Sequence, residues 1–261
     1  MGTVEIIALI VAGLFVGFIN TLAGGGSIIS LSLLMFLGLP AGVANGTNRI
    51  AIMIQNVIAT SSFKQQKVLD LKKTLWLGIP AVVGSVIGAL IAVDLTDRVL
   101  EIAMGIILLL MLVFILSNPK KWLQGNIELE KMKVNFKHII VFFFIGVYGG
   151  FIQVGVGYLL LAALILTAGQ SLIKANASKV MIILMYLPFS LIIFLLDDQV
   201  NWEYGLIMTI GNVIGAFVAS RLAVKKGVNF IRYIIIAVIL ITAGHLFGFI
   251  DMQSIFGSLL K

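Results

Sequence analysis

Apolar stretches of close to 20 residues recur from one end of this chain to the other, and that pattern restricts the fold more than any single motif. A stretch of that length crosses the ~30 Å hydrocarbon core of a bilayer as one α-helix. No polar run is long enough to form a separate soluble domain. Charged residues are only 11% of the 261, against roughly 25% in soluble domains, so a wettable surface cannot be assembled from this chain. The expectation is an all-α integral membrane protein that crosses the bilayer several times.

Candidate segments are residues 5–22, 27–39, 43–62, 74–93 and 99–117, then 138–154, 158–169, 172–196, 203–223 and 229–249. Residues 118–137 are the longest polar run, with five lysines against two glutamates, and read as a cytoplasmic linker. The chain then divides into a first membrane repeat, 1–117, and a second, 138–261, which together make one transmembrane domain. The stretch Ile6 to Leu22 follows Glu5 rather than a basic region and runs into glycines rather than a cleavage site, so it reads as a retained helix.

Sliding the second half over the first by 131 residues, the separation of Gly24 from Gly155, needs no gap. Gly26 then meets Gly157, Ala44 and Asn45 meet Ala175 and Asn176, Thr47 meets Ser178, Val82 meets Val213, and Gly84 meets Gly215. Two apolar halves always align to some degree, but coincident glycine and polar positions at one fixed offset point to an internal repeat. The charges give its sense. Lys64, Lys67, Lys72 and Lys73 fill a loop whose partner carries Asp197, Asp198 and Glu203. The next pair reverses again, Asp94 and Asp97 against Lys225 and Lys226. Because cytoplasmic loops collect Lys and Arg, equivalent loops fall on opposite sides, which implies inverted repeats of about five segments each and both termini extracytoplasmic.

Residues 27–39 would make about 20 Å of helix at ~1.5 Å per residue, too short to span unaided. Residues 158–169 are equally short and hold the same place in the second half. Both are expected to be broken or re-entrant helices that start from glycine-rich breaks. Gly24, Gly25, Gly26 and Ser27 form the first break, and Gly155 and Gly157 mark the second. Free amides and a positive dipole end at such helix starts suit an anion. The plainer alternative is that these glycines only allow close packing, as expected for Gly84 with Gly88 and for Gly211 with Gly215.

A second constellation is Asn45, Thr47, Asn48 and Arg49, with its counterpart Asn176, Ser178 and Lys179. A cation inside a membrane helix costs at least ~2.5–3.5 kcal/mol, so it needs a partner or a wet cavity. No acidic residue in these helices pairs with either. Unbalanced positive charge among neutral donors suits a desolvated anion; the alternative is that Arg49 and Lys179 snorkel to an interface. Asn45, Asn48, Arg49, Gln55 and Asn56 follow helical spacing and would share a face. For a coupling proton or sodium ion the candidates are Glu101 and His245, each of which also fits a plain packing role. Trp76, Trp122 and Trp202 lie near segment ends, as interfacial anchors do.

The absence of cysteine removes thiolate chemistry, and no P-loop or HExxH is present. Neither an enzyme nor a cofactor or metal requirement is expected. The positive net charge gathers in short loops rather than in a nucleic-acid-binding patch, so no nucleic acid partner is expected either.

A helix ending in an AGGGS break, a short helix with a proline turn, and the ANGTNR stretch resemble the TauE/SafE sulfite exporter family. The likeness covers nearly the whole chain and is most specific at Gly17 to Arg49 and Gly146 to Lys179; the second break departs from it, reading GVG instead of a glycine triplet. The resemblance implies a bacterial-type inner-membrane transporter of small sulfur-containing anions such as sulfite or organosulfonates. The expectation is therefore a secondary transporter of a small anion, working by alternating access between the repeats and able to form homo-oligomers. The alternatives are an anion channel or a non-transporting membrane subunit that scaffolds a partner.

Overall fold

A computed structural model describes residues 1–103, 106, 126–131 and 134–246, with the side chains of 127, 131, 232 and 235–246 excepted. Among these residues the chain is helical, without a strand. The helices are α1 (Thr3–Leu22), α2 (Ser27–Phe36), α3 (Ala41–Gln65), α4 (Leu71–Val93), α5 (97–103 in its described part), α6 (Ile127–Lys131), α7 (Phe136–Phe151), α8 (Val156–Leu166), α9 (Leu172–Leu196) and α10 (Trp202–Leu246). Most of the predicted segment 99–117, the start of the linker and Trp122 lie outside the described residues. The segments expected at 203–223 and 229–249 fall on either side of Gly227 within α10, where φ of +75° and ψ of −169° interrupt the helix with a kink.

Thr3–Leu22, Leu71–Val93, Leu172–Leu196 and Trp202–Ile231 are long and apolar enough to cross a bilayer, so this is an all-α membrane protein. At 25 residues α3 is also long. It is less apolar because Asn45, Asn48, Arg49, Gln55 and Asn56 are all turned inward and buried. The short helices are 10 residues in α2 and 11 in α8, about 15–17 Å at ~1.5 Å per residue.

Helices in lipid gain little from hiding apolar surface and associate where small residues let backbones approach. Two long seams show this: α1 lies along α10, and α4 lies along α7. A Cβ on Gly88 would stand 1.9 Å from the Val147 carbonyl oxygen, and one on Gly211 would stand 1.9 Å from that of Ile10. Each seam joins the first helix of one half to the fourth of the other. The centre follows the same exchange, with α3 against α10, α9 against α4, and α3 against α9.

Backbone conformation repeats at the 131-residue spacing. Positive φ occurs at Gly24 and Gly155, at Gly38 and Gly169, and at the non-glycine pair Lys67 and Asp198. Ala41–Gln65 and Leu172–Leu196 begin and end at the same spacing.

Candidate functional site

Every candidate residue in the two breaks and the two cation stretches is buried. Their roles separate by geometry. The breaks meet back to back: a Cβ built on Gly24 would lie 2.4 Å from Gly157 Cα, and the reciprocal construction gives the same distance. Only a pair of glycines allows two chains to cross so closely. Gly24 also needs its φ of +95° to turn the chain out of α1, and Gly155, at +71°, caps the start of α8. Gly25 packs under the Tyr158 ring and Gly26 against Val16 and Asn20.

The two cations do not snorkel; both are fully buried. Arg49 Nη1 donates to the Gly149 carbonyl at 3.2 Å and to Ser190 Oγ at 3.0 Å, and Nη2 donates to the Gly150 carbonyl at 2.7 Å. Its guanidinium also stands 4.3 Å from the centre of the Phe194 ring. Lys179 Nζ donates to the carbonyls of Asn20 at 2.9 Å and Thr21 at 3.0 Å, and to Asn176 Oδ1 at 2.7 Å. These carbonyls belong to the last turns of α7 and α1, where helices leave acceptors unpaired. Each cation therefore caps the broken helix of the opposite half. A helix end carries roughly half a negative charge, so a full cation on it leaves a net positive field around the breaks.

Asn45 joins the α7 cap, with Nδ2 donating to the Phe151 carbonyl at 2.9 Å. Thr47 and Ser178 work elsewhere. Thr47 Oγ1 accepts from the Asn201 amide at 2.8 Å, and Ser178 Oγ pairs with Thr74 Oγ1 at 2.9 Å, so each ties the third helix of its half to the fourth of the other. Asn48 is buried with neither amide atom partnered among the described residues.

Between the breaks lies a small cavity lined by Asn20, Gly24 and Ser27 from the first break, Gln55 and Asn56 from α3, and Gln153 and Gly157 from the second break, closed by apolar side chains. It has room for about one water molecule. Arg49 and Lys179 do not line it. Asn20 and Gln153 were not among the expected site residues: each is a lone amide at a helix end, with no spacing to mark it. Glu101 is exposed on α5 and takes no part in this cluster, and the His245 side chain lies outside the described residues. His138 is buried and structural, closing the start of α7 with Asn135 and pairing with the Thr167 carbonyl at 3.0 Å.

The family described as "Sulfite exporter TauE/SafE" matches residues 9–246. A "Probable membrane transporter protein" of Haemophilus influenzae is 28% identical over 86% of this chain and 87% of its own. "Probable membrane transporter protein ORF9" of Sinorhizobium sp is 27% identical over 88% and 87%, and "Probable membrane transporter protein YfcA" of Escherichia coli K12 is 28% identical over 85% and 82%. No solved structure matches.

Proposed function

The chain belongs to the TauE/SafE sulfite exporter family, and from that premise we propose that it is a secondary transporter of a small anion, sulfite or an organosulfonate, working by alternating access. The observation that carries this reading is the polar cavity where the two helix breaks meet, with walls drawn from both halves. Discontinuous helices meeting between inverted halves are how carriers place backbone dipoles at the bilayer midplane. Inverted repeats are supported by the paired positive-φ positions and the exchanged seams. With the basic loop at Lys64 to Lys73 placed in the cytoplasm, both termini face outward across a bacterial inner membrane.

Arg49 and Lys179 supply the positive field that draws an anion in, and the glycine breaks let it approach the leading amides of α2 and α8. The closed cavity, with room for about one water, fits the occluded state of a carrier. Rocking of the halves about the Gly24–Gly157 crossing would open the cavity to either side.

Counterflow in proteoliposomes tests this. Vesicles loaded with unlabelled sulfite should transiently concentrate labelled sulfite from outside, since a carrier exchanges solute while a channel only equilibrates it. Absence of counterflow for sulfite and for alkanesulfonates, in vesicles shown to contain folded protein, would refute the reading.

A further inference from the structure

The polar side chains that line the cavity are all neutral, and two of them are glutamines, Gln55 and Gln153, one from each half. Each has its carbonyl oxygen held from behind. Asn212 Nδ2 of α10 donates to Gln55 Oε1 at 3.3 Å, and the Tyr186 hydroxyl of α9 donates to Gln153 Oε1 at 3.1 Å. A planar amide fixed by its oxygen turns its NH2 the other way, and neither nitrogen is engaged by another described residue. Both residues are only 1% exposed, so each amide keeps an N–H donor without a protein acceptor in a confined place that a ligand or water can fill. Beside them, Asn56 gives its Nδ2 to the Ile52 carbonyl at 2.8 Å and keeps a buried, unpartnered Oδ1.

We propose that Gln55 and Gln153, not Arg49 and Lys179, make the direct contacts to the transported oxyanion, each donating an amide N–H to one of its oxygens. This rests on the reading that the cavity between the breaks is the transport site. Three observations favour it. Arg49 Nη1 and Nη2 and Lys179 Nζ are already committed to helix-end carbonyls, and turning them toward a ligand would orphan those acceptors. Neutral donors hold a charged oxygen firmly but without a buried ion pair, so the anion can leave again, as a carrier requires. And because the two amides belong to different halves, both reach one anion only when the halves come together, which links binding to closure. The cavity is smaller than the anion in this closed state, so the amides receive their ligand as the halves part and re-close on it. Asn56 Oδ1 completes the site with an acceptor for any O–H the ligand carries.

The test is titration of purified protein with sodium sulfite and with methanesulfonate, read by thermal stability and by counterflow, in the wild type and in single variants of each glutamine. Gln55→Glu and Gln153→Glu keep the oxygen that Asn212 and Tyr186 hold and replace the N–H donors; Gln55→Met and Gln153→Met remove the amide altogether. Each is expected to weaken anion affinity about 10- to 100-fold, the range for losing a hydrogen bond to a charged group. If a Met variant does not fold, the Glu variant at that position decides. Anion affinity within twofold of wild type in folded variants of both glutamines would overturn this assignment while leaving the transport reading intact. A wild-type protein that answers to neither anion in either assay would overturn the transport reading and this assignment with it.

Discussion

Replacing Gly24 by alanine separates the two demands that the helix crossing makes of that residue. The new Cβ would lie 2.4 Å from Gly157 Cα and 2.6 Å from its carbonyl carbon, and the backbone must hold φ at +95°. Left-handed φ costs an L-residue about 1–2 kcal/mol, and overpacking against backbone that cannot change rotamer costs about 1–3 kcal/mol, so the sum is about 2–5 kcal/mol. Two other glycines isolate the parts. Gly38 has φ +91° with nothing within 4 Å of its would-be Cβ, so Gly38→Ala carries the conformational cost alone. At Gly157 the same 2.4 Å clash occurs without a left-handed φ, so Gly157→Ala carries the steric cost alone. The gain of about 0.4–1 kcal/mol that alanine brings by restricting the unfolded chain is common to all three. Equilibrium unfolding in mixed micelles should rank Gly24→Ala as the most damaging, above the sum of the other two by about 0.4–1 kcal/mol, since that sum contains the alanine gain twice. The double variant of Gly24 and Gly157 should cost less than its two parts added, since both spoil one contact. If Gly24→Ala proved no worse than Gly38→Ala, the two breaks would not be touching, and the account of the crossing would be wrong.

Arg49→Met should destabilise by about 2–5 kcal/mol, because it strands the Gly149 and Gly150 carbonyls; Arg49→Lys should recover only part of this, since one ammonium cannot copy the guanidinium fork. The same unfolding assay checks both. Gly84→Ala and Gly215→Ala should cost the same within about 0.5 kcal/mol, the margin within which independent sites add, because each Cβ would meet a carbonyl oxygen at 2.1 Å on equivalent seams. Asp70→Ala should cost about 0.5–2 kcal/mol through loss of the Lys73 amide bond that caps α4, with anion affinity unchanged in the titration.

Much of the fold was legible from residue spacing alone. Short helices were expected at 27–39 and 158–169, and α2 and α8 stand at Ser27–Phe36 and Val156–Leu166. They end earlier than their apolar runs because Gly38 and Gly169 turn the chain with positive φ. The inward polar face of α3 was legible as well, since helical periodicity survives in one sequence. What Arg49 and Lys179 touch was not. Their backbone partners are carbonyls 100–101 and 158–159 residues away, and a carbonyl leaves no trace in composition. Nor did the offset mark the pair as equivalent, because Lys179 falls opposite Asn48; two long side chains reach corresponding helix ends from neighbouring positions. Gln153 escaped notice for a further reason: its chemistry depends on Tyr186 fixing one face of the amide, which only the folded chain reveals.

The exchange of caps between halves also orders the protein's assembly in time. As the chain leaves the ribosome, α1 enters the membrane with the Asn20 and Thr21 carbonyls exposed at its broken end, and the ammonium that quiets them is encoded 158 residues downstream of Thr21. Until α9 arrives, those two carbonyls lack the partner that Lys179 gives them in the folded chain. A nascent chain stalled within the linker should therefore be held by the insertion machinery or degraded, because neither cap can form until residues on both sides of the linker are in place.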